Sequence, residues 1–124
     1  MKILVVDDEP AVRDLLIDIL RSLGQAATGF DSGAHALESY AAGRYDLIFT
    51  DLGMPGMSGW DLARAIRERD PQVTLAIITG WGAEVSPEAA EEAGADAVVG
   101  KPFTIEDIEG LIRVARDRRP MRAA

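Results

Sequence analysis

Five short apolar runs alternate with five segments of helical spacing, and this alternation constrains the fold more than any other feature of the sequence. Short continuous apolar strands separated by amphipathic helices are typical of a parallel sheet that helices cover on both faces. The predicted strands span residues 2–6, 25–30, 47–50, 73–79 and 97–100. Predicted helices follow them from residue 10 to Gly24, over 32–42, over 59–69, from Ser86 to Gly94 and from Thr104 onward. The sequence therefore predicts an α/β fold with a doubly wound parallel sheet.

The length of 124 residues allows one domain with a real core and is too short for two. We expect this domain to cover residues 1–119 and residues 120–124 to form a flexible tail. The second run has few β-branched residues, which fits a strand at the edge of the sheet. Ser58, Ser86 and Thr104 each precede a helical segment as N-caps, and Asp61 completes a capping box with Ser58.

The composition argues against several classes of function. Cysteine is absent, which excludes a disulfide scaffold, a thiolate metal site and a cysteine nucleophile. The formal net charge is −8, so we expect no direct DNA binding. Arginines at the end of the last helix match its dipole and then continue into a solvated tail: Arg113, Arg116, Arg118, Arg119 and Arg122. With no stretch near the roughly 18 apolar residues of a membrane span and no signal peptide, we expect no membrane partner and a cytoplasmic location.

Charged and polar side chains follow four of the predicted strands at the point where each strand ends. They are Asp7 and Asp8 after the first strand, Asp51 after the third, Thr79 after the fourth and Lys101 after the fifth. All strands of a parallel sheet point the same way, so these side chains share one edge, where open α/β sheets bind ligands. We therefore expect three carboxylates, one hydroxyl and one ammonium group to converge there.

This set of side chains indicates phosphoryl chemistry. Three carboxylates at one place repel one another, and the single ammonium group of Lys101 does not balance them. Oxygen ligands suit Mg²⁺, which would complete the charge balance. A carboxylate beside such an ion acts as a nucleophile toward phosphorus and gives an aspartyl phosphate. The ammonium group of Lys101 and the hydroxyl of Thr79 can each bind a phosphoryl oxygen.

The whole chain resembles a response-regulator receiver domain of two-component signalling, of the CheY-like kind. Four motifs carry the resemblance, each at a predicted strand end: Asp7-Asp8, Asp51 in Asp-x-x-Met-Pro-x-x-x-Gly, Thr79, and Lys101-Pro102-Phe103. Each motif alone is weak to moderate, but all four in this order are highly specific. The resemblance implies a flavodoxin-like (βα)5 fold with strand order 2-1-3-4-5.

The resemblance also implies the roles of the site residues. Asp51 would be the phosphoacceptor, Lys101 would pair with the phosphoryl group, and Thr79 would move to bind it. Mg²⁺ would be held by Asp8, Asp51 and the carbonyl of Gly53, with Asp7 acting mostly through water, and the peptide before Pro102 would be cis. The implied partners are a histidine kinase or phosphotransfer protein and an unknown output partner. A homodimer through the fourth and fifth helices and the fifth strand is allowed.

One position departs from the family pattern. Members usually carry an aromatic residue three positions before the lysine, which reorients when the threonine moves, and this chain has Val98 there. Trp81 is the nearest aromatic residue that could replace it, because it lies between two glycines just after Thr79. The alternative is that Trp81 only covers the loop.

Three other functions compete with a phosphoryl-accepting switch that is not itself a turnover enzyme. Aspartate-nucleophile phosphatases carry a second aspartate two positions after the nucleophile, where this chain has Gly53. A nucleotide- or flavin-binding module would need a glycine-rich phosphate loop after the first strand, where this chain has two aspartates. The intact acidic set argues against a degenerate receiver.

His35, the only histidine, is interpreted as a surface residue.

Overall fold

The computed structural model describes residues 1–80 and 86–118, and these residues form one five-stranded parallel sheet with helices on both faces. The elements along the chain are β1 (Lys2–Val6), α1 (Pro10–Ser22), β2 (Ala26–Phe30), α2 (Gly33–Ser39), β3 (Leu47–Asp51), α3 (Gly59–Arg69), β4 (Thr74–Thr79), α4 (Pro87–Ala93), β5 (Ala97–Gly100) and α5 (Ile105–Arg118). The strand order is β2-β1-β3-β4-β5. The predicted flavodoxin-like α/β fold is confirmed.

The two faces of the sheet carry separate cores, because successive side chains of a strand point to opposite faces. On β1, Leu4 and Val6 pack with residues of α2, α3 and α4, whereas Ile3 and Val5 pack with residues of α1 and α5. The central strands β3 and β4 are buried along their whole length. This double coverage explains why their sequences read as continuous apolar runs.

The strand β2 lies at one edge of the sheet, as its weak pattern predicts. Ala26 and Thr28 are exposed, and Ala27 between them is buried. An edge strand has only one neighbour, so its sequence is less constrained than that of β1 or β3.

The predicted helix caps are confirmed. The Ser58 hydroxyl accepts a hydrogen bond from the Asp61 backbone N–H at 3.2 Å, and the Asp61 carboxylate accepts one from the Ser58 N–H at 3.4 Å. The Ser86 hydroxyl accepts from the Ala89 N–H at 3.1 Å, and the Thr104 hydroxyl accepts from the N–H of Asp107 at 3.1 Å. These caps fix the starts of α3, α4 and α5 directly after the loops that follow β3, β4 and β5.

The second helix is shorter than the sequence predicts. It was expected over residues 32–42, but α2 ends at Ser39, and Tyr40 has an extended backbone with φ −78° and ψ 132°. The Tyr40 ring is buried and stacks on Tyr45 with ring centroids 5.7 Å apart. Its hydroxyl donates to the Asp70 carboxylate at 2.8 Å. The contact with Asp70, 30 residues away, and the stacking on Tyr45 compete with another turn of helix, so the prediction of the helix end was wrong.

Two sequence predictions concern residues that the structure does not describe. The expected flexible tail, residues 120–124, lies outside the described residues, so the domain limit at residue 119 stays a prediction. Trp81 also lies outside them. Within the described ranges, every helix is too short or too polar to cross a bilayer.

Candidate functional site

Asp7, Asp8, Asp51 and Lys101 meet at the carboxyl edge of the sheet, as the strand directions predict. The three carboxylates each offer an oxygen within 4.8 Å of the others. The Lys101 Nζ lies 3.2 Å from Asp51 Oδ1, to which it donates a hydrogen bond, and 3.5 Å from Asp7 Oδ2. Asp7 and Asp51 are buried, with 2% and 5% of their surface exposed, whereas Asp8 is partly exposed. One ammonium group therefore faces two buried carboxylates and a third nearby.

Asp51 is the last residue of β3 and is held by the start of α3. The backbone N–H of Leu52 donates to the carbonyl of Ile78 in β4 at 2.9 Å, and the N–H of Gly59 donates to the Leu52 carbonyl at 2.9 Å. A Cβ at Gly59 would collide with the backbone oxygen of Asp51 and would lie 2.9 Å from the Leu52 Cα. The glycine thus lets α3 begin in contact with the backbone that carries the Asp51 carboxylate.

Thr79 and Lys101 are aligned by the pairing of β4 with β5. The strand register places Thr79 opposite Gly100, and the N–H of Lys101 donates to the Thr79 carbonyl at 2.9 Å. Thr79 is buried, with 4% of its surface exposed. The Lys101–Pro102 peptide is cis, as the family resemblance implies. The ladder therefore brings the Thr79 residue and the Lys101 ammonium group to the same edge as Asp51.

The electrostatics of the site follow from burial and from the excess of carboxylates. Burial raises the pKa of Asp51 above its usual range, the charge of Asp7 raises it further, and Lys101 only partly offsets both. Burial works against the charge on Lys101, but the attraction of Asp7 and Asp51 outweighs it and raises the Lys101 pKa. Lys101 thus stays charged. Its single positive charge does not fully offset the burial of ionised Asp51 and the repulsion from Asp7.

The donor set fits a hard divalent cation. Among the described residues, Asp7 Oδ2 is buried with no hydrogen-bond partner, and its 3.5 Å contact with Lys101 is an ion pair only. A buried carboxylate oxygen without a hydrogen bond is costly. The one ammonium group near it is shared with Asp51, so the cluster still lacks positive charge. Mg²⁺ prefers oxygen ligands and is typically held by one or two carboxylates together with waters and phosphoryl oxygens. The acidic cluster of Asp7, Asp8 and Asp51 can therefore hold such an ion.

Three further residues that the sequence singled out are Gly53, His35 and Val98. Gly53 is in the loop after Asp51, with no heavy atom within 4 Å of where a Cβ would be. Its carbonyl as a metal ligand stays a prediction. His35 is exposed on α2 and pairs with Asp31 at 2.8 Å. Val98 is 39% exposed on β5.

Replacing Lys101 by methionine is expected to raise the pKa of Asp51 further. The substitution keeps the length of the side chain but removes the only ammonium group that contacts this carboxylate among the described residues. A carboxyl ¹³C NMR titration in EDTA measures the change, with Lys2→Met as a control because Lys2 lies at the other end of β1. A titration of Asp51 that does not move would contradict the role of Lys101 in its ionisation.

Comparisons with known proteins agree with this geometry. The sequence model of the family described as response regulator receiver domain matches residues 3–113. The chain is 36% identical over 121 residues to the chemotaxis protein CheY of Pseudomonas aeruginosa, which covers 95% of this chain and 98% of CheY. It spans only 24% and 51% of two longer curated relatives that it also matches.

Solved structures give the same result. A response regulator receiver domain protein from Clostridium thermocellum has a TM-score of 0.86 and 29% identity, with 97% of each chain covered. The response regulator TrrA from Thermotoga maritima is 32% identical, with 92% of this chain and 97% of TrrA covered. TrrA matches at a TM-score of 0.82 in a structure with Mg²⁺–BeF and at 0.81 in one with the histidine kinase ThkA. Because family match, strand order and acidic cluster agree, the chain belongs to the response-regulator receiver domains of two-component systems.

Proposed function

We propose that this receiver domain accepts a phosphoryl group on Asp51 from the phosphohistidine of a histidine kinase or phosphotransfer protein. The observation that carries the proposal is the contact of the buried Asp51 carboxylate with the Lys101 ammonium group at 3.2 Å, beside two further carboxylates. A structure of the similar protein TrrA with a histidine kinase supports the class of partner.

In the proposed reaction an oxygen of Asp51 attacks the phosphorus, and the bond from phosphorus to the donor nitrogen breaks. Mg²⁺, held by Asp8, Asp51 and the Gly53 carbonyl and by Asp7 mostly through water, would supply the positive charge that the crowded carboxylates and phosphoryl oxygens need. Lys101 already donates a hydrogen bond to Asp51, and after the transfer its ammonium group would bind an oxygen of the phosphoryl group.

Thr79 is the proposed element that senses the phosphoryl group. Its hydroxyl would donate to a phosphoryl oxygen, a hydrogen bond worth roughly 1.5–3 kcal/mol when the acceptor is charged. Because the Thr79 carbonyl accepts from the Lys101 N–H, a movement at the end of β4 reaches the end of β5. An exposed Val98 lies two residues before Gly100 on that strand. We infer that the exposed surface around Val98 on β5 controls an output partner or binds a second copy of the chain.

The chain acts as a signalling domain, and we infer that any turnover is limited to its own aspartyl phosphate. An aspartate-nucleophile phosphatase needs an acid two residues after the nucleophile, and Gly53 offers no side chain there. The cytoplasmic location, the Trp81 replacement for an aromatic switch and the absence of direct DNA binding stay predictions.

The proposed function is tested by weighing the intact protein after incubation with acetyl phosphate. We expect a gain of one phosphoryl group with Mg²⁺ and no gain in EDTA, because the carboxylates cannot approach a phosphoryl group without a compensating cation. Loading that proceeds equally in EDTA would refute the metal-assisted reaction.

Two variants separate metal binding from phosphoryl sensing in the same assay. Asp8→Ala removes a metal ligand and should weaken Mg²⁺ binding by about tenfold or more. Thr79→Ala removes only a hydroxyl directed at the phosphoryl group, so its Mg²⁺ affinity measured by calorimetry should fall much less. Equal losses of Mg²⁺ affinity would contradict this division of roles.

A further inference from the structure

Asp7 is held at its backbone and at one carboxylate oxygen by hydrogen bonds with three other residues. Three of its four polar atoms have protein partners among the described residues. Its N–H donates to the carbonyl of Phe30 at 3.1 Å, and its Oδ1 accepts from the N–H of Glu9 at 2.9 Å. Its carbonyl oxygen accepts from the Arg13 Nη1 at 2.8 Å. Only Oδ2, which faces Lys101, is left without a hydrogen bond.

The bond from Arg13 is made where the sheet can no longer provide one. The ladder between β1 and β2 ends with Val6 opposite Phe30, so the Asp7 carbonyl lies beyond it. Arg13 lies in the first turns of α1 and is partly exposed. Within residues 1–80 and 86–118 it forms no ion pair with a carboxylate, and of the causes that lower the pKa of the exposed Asp31, the bond from His35 is the largest and the charge of Arg13 the smallest. Its guanidinium group is therefore directed at the backbone of Asp7.

The path of the Arg13 side chain depends on a glycine in β2. A Cβ at Gly29 would lie 3.1 Å from the Arg13 Cδ, 3.2 Å from its Cγ and 2.6 Å from the Ile17 Cδ1. Any larger residue at this position would push against the stem of Arg13. The lack of a side chain at Gly29 thus lets α1 pack closely enough on β2 for the guanidinium group to reach the Asp7 carbonyl.

From these contacts we infer that Arg13 is a positioning residue for the metal site, acting through the Asp7 backbone. The inference rests on the proposed function. The bond from Arg13 fixes the peptide that follows Asp7, and the N–H of Glu9 then fixes Oδ1. With Oδ1 held, Oδ2 faces the Lys101 ammonium group at 3.5 Å and remains open to a cation. Groups that orient a metal ligand without touching the metal typically change its affinity by 10–100-fold when they are removed.

Arg13→Ala is expected to raise the dissociation constant for Mg²⁺ by about tenfold, the lower end of that range, because Arg13 contacts only the backbone of Asp7, which would reach the metal mostly through water. Arg13→Lys, which keeps a charged donor, should recover part of the affinity. The measurement is a calorimetric titration of the phosphate-free protein with Mg²⁺. Loading from acetyl phosphate should be slow at low Mg²⁺ and should approach the wild-type rate at saturating Mg²⁺.

Arg21 offers a matched control on the same helix. Its Nη2 donates to the carbonyl of Ala27 in β2 at 3.2 Å, so Arg21→Ala also loses a hydrogen bond from a guanidinium group to a backbone oxygen. The bond lies away from the carboxyl edge, and we expect the Mg²⁺ affinity to stay within about twofold of the wild type. Thermal unfolding in EDTA compares the stability of Arg13→Ala and Arg21→Ala.

The outcomes separate this inference from the function on which it rests. If wild type binds Mg²⁺ but Arg13→Ala and Arg21→Ala match it in affinity, only the positioning role is overturned. The positioning role is also overturned if both variants lose affinity in proportion to lost stability. A wild-type protein that binds no Mg²⁺ would overturn both the proposed metal site and the role of Arg13. A tenfold loss confined to Arg13→Ala, with partial recovery in Arg13→Lys, supports the inference.

Discussion

Asp51→Asn is expected to abolish phosphoryl loading, with a rate at least about a thousandfold below that of the wild type. The side-chain amide has the same shape as the carboxylate but is neutral and cannot attack phosphorus. The measurement is the intact mass after incubation with acetyl phosphate and Mg²⁺. Asp70→Asn is a matched control, because Asp70 is buried to the same extent, at 4% exposed, but bonds to Tyr40 away from the site.

A mass gain of one phosphoryl group in Asp51→Asn would show that another residue is the phosphoacceptor.

The stability of the same variant in EDTA gives a second test. Because the folded protein raises the Asp51 pKa, stability is lost as the pH rises through that pKa, and ionised Asp51 is unfavourable at neutral pH. Asp51→Asn should therefore be more stable than the wild type in EDTA at neutral pH. Addition of Mg²⁺ should reduce this difference, because the cation compensates the wild-type carboxylate at residue 51 and binds more weakly to the variant, which lacks that ligand.

The fold was predictable where local patterns decide the structure. The N-caps at Ser58 and Thr104 and the apolar runs of β3 and β4 follow from rules that act over a few residues. The end of α2 was missed because Tyr40 leaves the helix to bond Asp70, which is 30 residues away in the sequence. No local pattern at Tyr40 signals a partner at that distance.

The site likewise contains features that the sequence predicts and features that depend on tertiary packing. Strand direction predicts that Asp7, Asp51 and Lys101 share one edge, since parallel strands bring their carboxyl ends together. Their contacts also depend on the strand order, which places β1 next to β3 and β5 next to β4. The bond from Arg13 to the Asp7 carbonyl was missed, because it depends on how closely α1 packs on β2. Gly29 is the one sequence signal that could have indicated it, as an isolated glycine in a strand often marks a close approach.

A second set of arginine hydrogen bonds, near the amino ends of β4 and β5, was also missed. Arg67 of α3 donates to the carbonyls of Val73 at 2.7 Å and Gly94 at 3.0 Å, and to the Asp96 carboxylate at 2.9 Å. Arg118, expected in the sequence only to match the helix dipole, also pairs with Asp96 at 2.9 Å. Both arginines lie on exposed helical positions by pattern, so their partners depend on the tertiary packing.

The Gly59 position carries the largest expected effect on stability. An added Cβ would collide with the Asp51 backbone oxygen and would lie 2.9 Å from the Leu52 Cα and 3.1 Å from the Asp51 carbonyl carbon. These are backbone atoms at the end of β3, so they cannot rotate away as a flexible side chain can. Relief of the collision must shift the start of α3 or the strand that carries Asp51.

Gly59→Ala should therefore lower the free energy of unfolding by about 2–3 kcal/mol, the upper part of the usual range for overpacking. Urea unfolding in EDTA measures this loss, and the shift of Asp51 should also reduce Mg²⁺ affinity and phosphoryl loading. Gly110→Ala is the control for the substitution itself, because its Cβ would meet only the Arg113 Nη2 at 3.8 Å. That variant should gain about 0.5–1 kcal/mol from helix propensity.

Gly53→Ala separates a collision from a general intolerance of the loop after Asp51. Open space surrounds the position of its Cβ, and its backbone is not in the left-handed region, so its free energy of unfolding should be close to that of the wild type. The three alanine variants thus test one geometric statement, that α3 begins in contact with the phosphoacceptor strand. If Gly59→Ala unfolds at the wild-type urea concentration and loads phosphate at the wild-type rate, that contact does not hold Asp51 in place.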